Sequence, residues 1–357
     1  MHVPDGFINA PVSVAAGAVA AGAVAVSIRG ARRELGGTSH AAGHGGENTA
    51  PLAGLVAAFI FAVQMLNFPV AAGTSGHLLG GALAAILVGP YTGVLCISVV
   101  LLMQGILFAD GGLTALGVNI TVMGVVTVVV SYALFRGLVT VLPRKRRSVT
   151  VASFAAALVS VPAAATVFTA IYAIGGTTDV PVGKVLTAMV GVHVLIGIGE
   201  AAITMLTVGA VIAVRPDLVH GARGLAAPLK LRVGGELVDA PAAAPVAARS
   251  LRAVWATGLV TALVLAGFVS YYASASPDGL EKVAADKGID KKVEDHAAKD
   301  SPLADYGVKD IADARISGGL AGVIGVGVTV AAGTGIFWSV RRRQTKDAGP
   351  ARVPDAV

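Results

Sequence analysis

Leu78-Leu79-Gly80-Gly81-Ala82-Leu83-Ala84-Ala85-Ile86-Leu87-Val88 runs into Gly89-Pro90 and then into a second apolar stretch, Tyr91–Ala109. Whether this run crosses a membrane once or twice decides how the whole chain is threaded. A spanning helix needs about 20 mostly apolar residues, and the first stretch has only about a dozen. Pro90 has no amide hydrogen and clashes with the turn before it, which favours a break. One long helix from Leu78 to Ala109 is the alternative. The other apolar stretches are Phe7–Ile28, Leu52–Val70, Ala115–Leu142, Ser153–Ile174, Val185–Val214, Val254–Ala273 and Ile316–Val340. Basic clusters separate them: Arg29, Arg32 and Arg33; Arg144 to Arg147 (with Lys145); Arg215, Arg223, Lys230 and Arg232; and Arg341 to Arg343. Basic loops stay on the cytoplasmic side. Nine spans with the N-terminus outside put all four clusters there. Merging the run around Gly89-Pro90 would send Arg144–Arg147 outside, so two spans are expected. Met1 and the loop 71–77 then share the outer side.

Composition supports a membrane setting. The chain has 357 residues, 55% hydrophobic and only 13% charged, against about 25% charged in soluble domains. An ordinary cytosolic enzyme and a disordered chain are both excluded. The net charge of +6 belongs to the cytoplasmic clusters and implies no nucleic-acid partner. The single cysteine, Cys96, excludes an internal disulfide and a cysteine metal cluster. Aromatics are 5%, while Ala, Val and Gly abound, as suits closely packed membrane helices. The expected fold class is all-α: a polytopic bundle of about seven spans plus a two-span C-terminal hairpin. No basic region precedes the first apolar run, so that span is expected to stay and Met1 to be the mature terminus. A Pro/Ala-rich basic stretch around 215–252 reads as a cytoplasmic linker. The outer loop 276–315 beyond it is acidic. The expected units are a membrane domain (1–215), the linker (216–253), the hairpin (254–340) and a cytoplasmic tail (341–357).

In so apolar a chain the few histidines and acids stand out. A free amine followed by His2 offers three nitrogens to one ion: the Met1 amine, the His2 amide and the His2 imidazole. Amine and amide close a five-membered ring, and amide with Nδ1 a six-membered one. Three nearly coplanar nitrogens suit a square-planar ion such as Ni(II) or Cu(II). His77 follows Gly73-Thr74-Ser75-Gly76 on the same outer side, and a histidine at membrane depth is a functional candidate. His193 and Glu200, seven apart in one span, share a helix face. They read equally as a structural network and as a metal path. Asn67, Gln104, Asp110 and Asn119 are candidates to orient the histidines. For Gln104, Asp110 and Asn119, helix capping and turn filling is the favoured alternative. His40, His44, His220 and His296 read as solvated. No G-x-x-x-x-G-K-[ST] loop is present, so ATP hydrolysis by that route is not expected of this chain.

The start Met1-His2-Val3-Pro4-Asp5-Gly6-Phe7 resembles the N-terminal signature of the CbiM/NikM family. These are the substrate-capture components of energy-coupling-factor (ECF) transporters for cobalt and nickel. Gln64–Val70 with Gly73–Gly81, then Asp110–Asn119, then His193–Glu200 resemble three further signatures in the same order. Ser276-Pro277-Asp278-Gly279-Leu280-Glu281 resembles the small auxiliary subunit of the PDGLE type, which would make the linker a fusion joint. The resemblance implies metal held by Met1, His2 and His77, with Ni2+ or Co2+ as transported ligand and no cofactor. It implies uptake across a bacterial-type cell membrane, docked on a transmembrane coupling subunit and driven by two cytosolic ATPases. The chain itself would be no enzyme. Two competing readings are a vitamin-type ECF capture component and an intramembrane enzyme using His193 and Glu200.

Overall fold

The chain breaks at Gly89-Pro90. In the computed structural model, which describes residues 1–36, 49–71, 73–222, 230–233, 236–239 and 251–347, α3 (Gly81–Val88) ends there and α4 (Pro90–Leu107) begins. Gly89 has a φ of 101°, open to glycine alone, and Pro90 takes the first helical position, where its missing N–H costs nothing. The Glu34 carboxylate, from the end of α1 (Ala10–Gly36), accepts from Tyr91 N at 3.2 Å and Thr92 N at 2.7 Å. A carboxylate on the free amides of a helix start is favourable for both hydrogen bonding and the helix dipole.

The remaining helices are α2 (Thr49–Gln64), α5 (Leu116–Asn119), α6 (Thr127–Val141), α7 (Arg146–Gly175), α8 (Val182–Val214), α9 (Leu251–Gly267), α10 (Gly279–Lys287) and α11 (Ala314–Asp347). A π-helical stretch, Ile120–Val126, joins α5 to α6, so that Leu116–Val141 is one apolar rod. Among the described residues, seven helices are long and apolar enough to cross a membrane, and α2 is a shorter apolar one. The fold is the expected all-α membrane bundle, and the chain is a multi-pass membrane protein. Valines 14, 19 and 26 of α1 stand exposed, as a lipid-facing surface requires.

Two expected spans differ in form. The second was expected to run to Val70, but α2 stops at Gln64. Phe68–Ala71 instead forms β1, antiparallel to β2 (Thr74–Gly76), with Phe68 opposite Gly76 and an irregular step after Pro69. Pro69 cannot continue a helix, and Gly73 turns the hairpin at a φ of 72°. The third was expected to be helical from Leu78. Helix starts only at Gly81, because Gly80 sits at φ 86° in the left-handed region. This passage is therefore an extended lead followed by about 12 Å of helix. It runs from His77 at the outer end to Gly89, which packs on Glu34 at the other end. α4 returns over 18 residues, about 27 Å. His77 lies near the end of α4, through the His2 ring that stacks on it and meets Gln104.

The C-terminal helices lie against α2. A Cβ on Gly54 would stand 2.4 Å from Thr334 Oγ1 and 2.8 Å from Thr334 N, so only glycine allows α2 and α11 this approach. Within the linker, Lys230–Val233 and Glu236–Asp239 pair as an antiparallel hairpin, β3–β4. His40 and His44 lie outside the described residues, as does Ala72 of the outer loop. So do 223–229, 234–235 and 240–250 of the linker and 348–357 of the tail.

Candidate metal site

Met1–Gly6 forms no regular element and is held group by group. Asn119 clamps Val3, accepting from its N–H at 2.8 Å and donating to its carbonyl at 3.1 Å. Gly112 N donates to the same carbonyl at 2.9 Å. The Asp5 carboxylate accepts from Thr114 N at 2.8 Å, and Thr177 Oγ1 donates to Gly6 O at 2.7 Å. Buried backbone groups need partners, and this arm finds its partners on loops far off in sequence. Met1 is thereby carried inside and is 2% exposed.

The amine then meets His77. Glu200 accepts from Leu79 N at 2.7 Å and Gly80 N at 3.1 Å, while Gln64 Nε2 donates to Leu79 O at 2.9 Å. These contacts fix the segment that presents His77. The His77 Nδ1–H donates to Leu78 O at 3.0 Å, so Nε2 keeps its lone pair. The Met1 amine donates to that Nε2 at 2.6 Å. The His2 ring stacks on the His77 ring, centroids 5.1 Å apart and planes 16° from parallel. His2 Nε2 lies 3.2 Å from Gln104 Oε1, and Nδ1 lies 3.2 Å from Asp110 Oδ1. Burial lowers the His2 pKa to about 4, against a smaller raising effect of Asp110. The imidazole is neutral, as a metal ligand must be.

A third group arrives from the C-terminal unit. Asp278 accepts the Met1 amine at 2.7 Å, and the same oxygen lies 3.5 Å from His77 Nε2. Burial alone would raise the Asp278 pKa. The N-terminal ammonium beside it acts the other way and holds the carboxyl well below the usual range. His2, His77 and Asp278 each offer one donor atom, all within 4.8 Å of one another. A cavity of about 610 Å³ meets this cluster and is also lined by Asp110, Tyr306 and Arg315.

The expected residues thus converge, with distinct jobs. Met1, His2 and His77 meet. Gln104 and Asp110 touch the His2 ring, and Asn119 grips the backbone beside it. Asn67 lines the cavity, and its carbonyl accepts Ser274 N at 2.7 Å. Glu200 spends its carboxylate on two backbone amides. His193 donates from Nδ1 to Met189 O at 2.8 Å and is fully buried beside Gly279, with no hydrogen-bond partner at Nε2 among the described residues. Two histidines expected to be solvated are engaged. His296 Nε2 lies 3.2 Å from Gly111 O, and His220 Nε2 lies 3.1 Å from Tyr132 OH. Asp278 was missed. Its capping box with Glu281 is readable in the sequence, but its contact with Met1, 277 positions away, is not.

Known proteins share this arrangement of sequence. Residues 2–218 match the CbiM family, described as the cobalt uptake substrate-specific transmembrane region, and residues 252–342 match the PDGLE domain. A putative metal transport protein of Haloquadratum walsbyi is 39% identical over 223 residues, 61% of this chain and 93% of that one. A putative fused nickel transport protein NikMN of Archaeoglobus fulgidus is 38% identical over 222 residues, 62% of this chain and 68% of that one. A crystal structure of a transition metal transporter, 25% identical, superposes with a TM-score of 0.50 over 60% of this chain and 93% of its own.

Proposed function

The chain belongs to the CbiM family of cobalt-uptake substrate-specific transmembrane proteins, joined to a PDGLE domain, and we propose on that premise that it captures Ni2+ or Co2+ on a four-nitrogen site built around its own N-terminus. It is a metal-uptake component and not an enzyme. The donors are the Met1 amine, the His2 amide, His2 Nδ1 and His77 Nε2. One observation carries this reading: the buried amine stands 2.6 Å from the unprotonated nitrogen of His77. Two nitrogens at right angles around one ion, each about 2 Å from it, are about 2.8 Å apart. The empty chain already holds that spacing.

Loading displaces protons. The ammonium loses one to free its lone pair, and the His2 amide loses another when its nitrogen binds. His77 needs no deprotonation at Nε2. Gln104 accepts the His2 Nε2–H and so directs Nδ1 to the ion, which replaces the Asp110 contact there. Holding the amine and His77 at this spacing beforehand reduces the ordering cost of binding. ATP hydrolysis falls to partners, a transmembrane coupling subunit and two cytosolic ATPases. The absence of a phosphate-binding loop in the sequence supports that division. A catalytic role for Glu200 has no support, since both its oxygens are committed to backbone amides.

Inserting one alanine between Met1 and His2 enlarges and misplaces the chelate rings. Isothermal titration of the purified chain is expected to lose tight Ni2+ binding in that variant and in His77→Ala. Unchanged affinity in both would refute the ligand set.

A further inference from the structure

Asp278 does two things with one carboxylate. Its Oδ1 caps α10, accepting Glu281 N at 2.8 Å, while Glu281 returns a bond to Asp278 N at 2.9 Å. Its Oδ2 is turned the other way, onto the Met1 amine. The segment carrying it is locked into the N-terminal unit. Ser75 donates from N to Pro277 O at 2.8 Å and from Oγ to Ser276 O at 2.7 Å. A Cβ at Gly279 would come within 2.8 Å of Ile196, 2.9 Å of Val192 and 3.2 Å of His193, so α10 seats directly on these α8 side chains. The seating continues beyond the cap. Glu294 N donates to Asp5 O at 3.0 Å, and Tyr306 OH donates to Asp110 at 2.6 Å. The outer loop of the C-terminal unit therefore packs against both the arm and the loop that face His2.

Charge gives this contact a purpose. The four proposed donors are nitrogens, and the side chains of Met1, His2 and His77 are nearly withdrawn from water. A divalent ion placed among them, with the His2 amide deprotonated, leaves one net positive charge buried, which is unfavourable unless it is paired. In the empty chain the ammonium is the charge needing balance. In either state a carboxylate beside the amine offsets it.

We propose that Asp278 is the charge-balancing and positioning residue of the metal site, supplied by the fused PDGLE domain. In the empty chain it holds the amine against His77. When the ion enters, it remains beside the ion as a counter-charge without becoming a ligand. The fused domain thus completes the site and is more than an assembly aid. This rests on the ligand set proposed above.

The test uses the full chain with Ni2+ as probe. Asp278→Asn keeps the size, the helix-capping ability and the Oδ1 acceptor, and replaces the charged Oδ2 that faces the amine with a neutral amide NH2. Its metal-free melting temperature is expected to fall, because the buried amine loses its counter-charge, with the helical fold retained by circular dichroism; its Ni2+ affinity is expected to fall at least tenfold, and its visible absorption at saturating Ni2+ to be unchanged. Asp278→Glu, which restores the charge, is expected to recover part of the affinity. Asp278→Asn binding within twofold of the parent would overturn the proposal. So would a displaced absorption band, which would make the carboxylate a ligand. His77→Ala is measured alongside. If it abolishes binding while Asp278→Asn does not weaken it, only the role of Asp278 fails. If His77→Ala binds like the parent, the ligand set itself fails.

Discussion

Single residues near the site trade burial against charge. His2 is neutral because its environment excludes water, and the consequence is measurable. Its pKa is about 4 when docked and about 6.5 when the arm is free. Between those values the free arm binds a proton that the docked arm does not. Acidification through this window therefore weakens docking, while above about pH 6.5 nothing is lost. An NMR titration of the ring-labelled, metal-free chain is expected to give His2 a midpoint near 4. A midpoint near 6.5 would mean that the arm is not buried. The two histidines of the proposed chelate stand out in the sequence because so few polar residues compete with them. Their supports were less so. Asn119 and Glu200 were visible as polar residues in apolar helices, but their use of backbone groups on Val3, Leu79 and Gly80 depends on the fold. Asp278 was beyond reach, because a carboxylate in an acidic loop looks solvated until the tertiary contact is known.

Among the elements, the short α3 and the extended lead before it present His77. The Gly89-Pro90 end of α3 was legible from covalent chemistry. Its late start at Gly81 was not, because hydropathy is the same on either side of Gly80 and carries no record of a left-handed φ. That start keeps Leu79 N and Gly80 N available to Glu200, and so His77 in place. Gly80→Ala must hold a Cβ at φ 86°, costing about 1–2 kcal/mol, and its Cβ would press on Ile60 at 2.7 Å. The variant is expected to melt earlier and to bind Ni2+ several-fold more weakly. Gly22→Ala is the control, since a Cβ there meets nothing within 4 Å and alanine favours the helix by up to about 1 kcal/mol. Equal melting and affinity of the two variants would show that the backbone at Gly80 does not position His77.

At the scale of the whole molecule, charge distribution and hydropathy made the bundle readable, and the basic clusters separated α3 from α4 where length alone was ambiguous. The packing of the two units was not readable. α11 meets α2 through small residues such as Gly54, and plain helix packing and a domain interface have the same composition. The assembled molecule brings the N-terminus, the loop after α2 and the cap of α10 to one buried point at the outer end. X-ray absorption at the nickel edge of the Ni2+-loaded full chain reads that point directly. Four nitrogen donors at about 2 Å in a square plane are the predicted result. A six-coordinate shell rich in oxygen would contradict it.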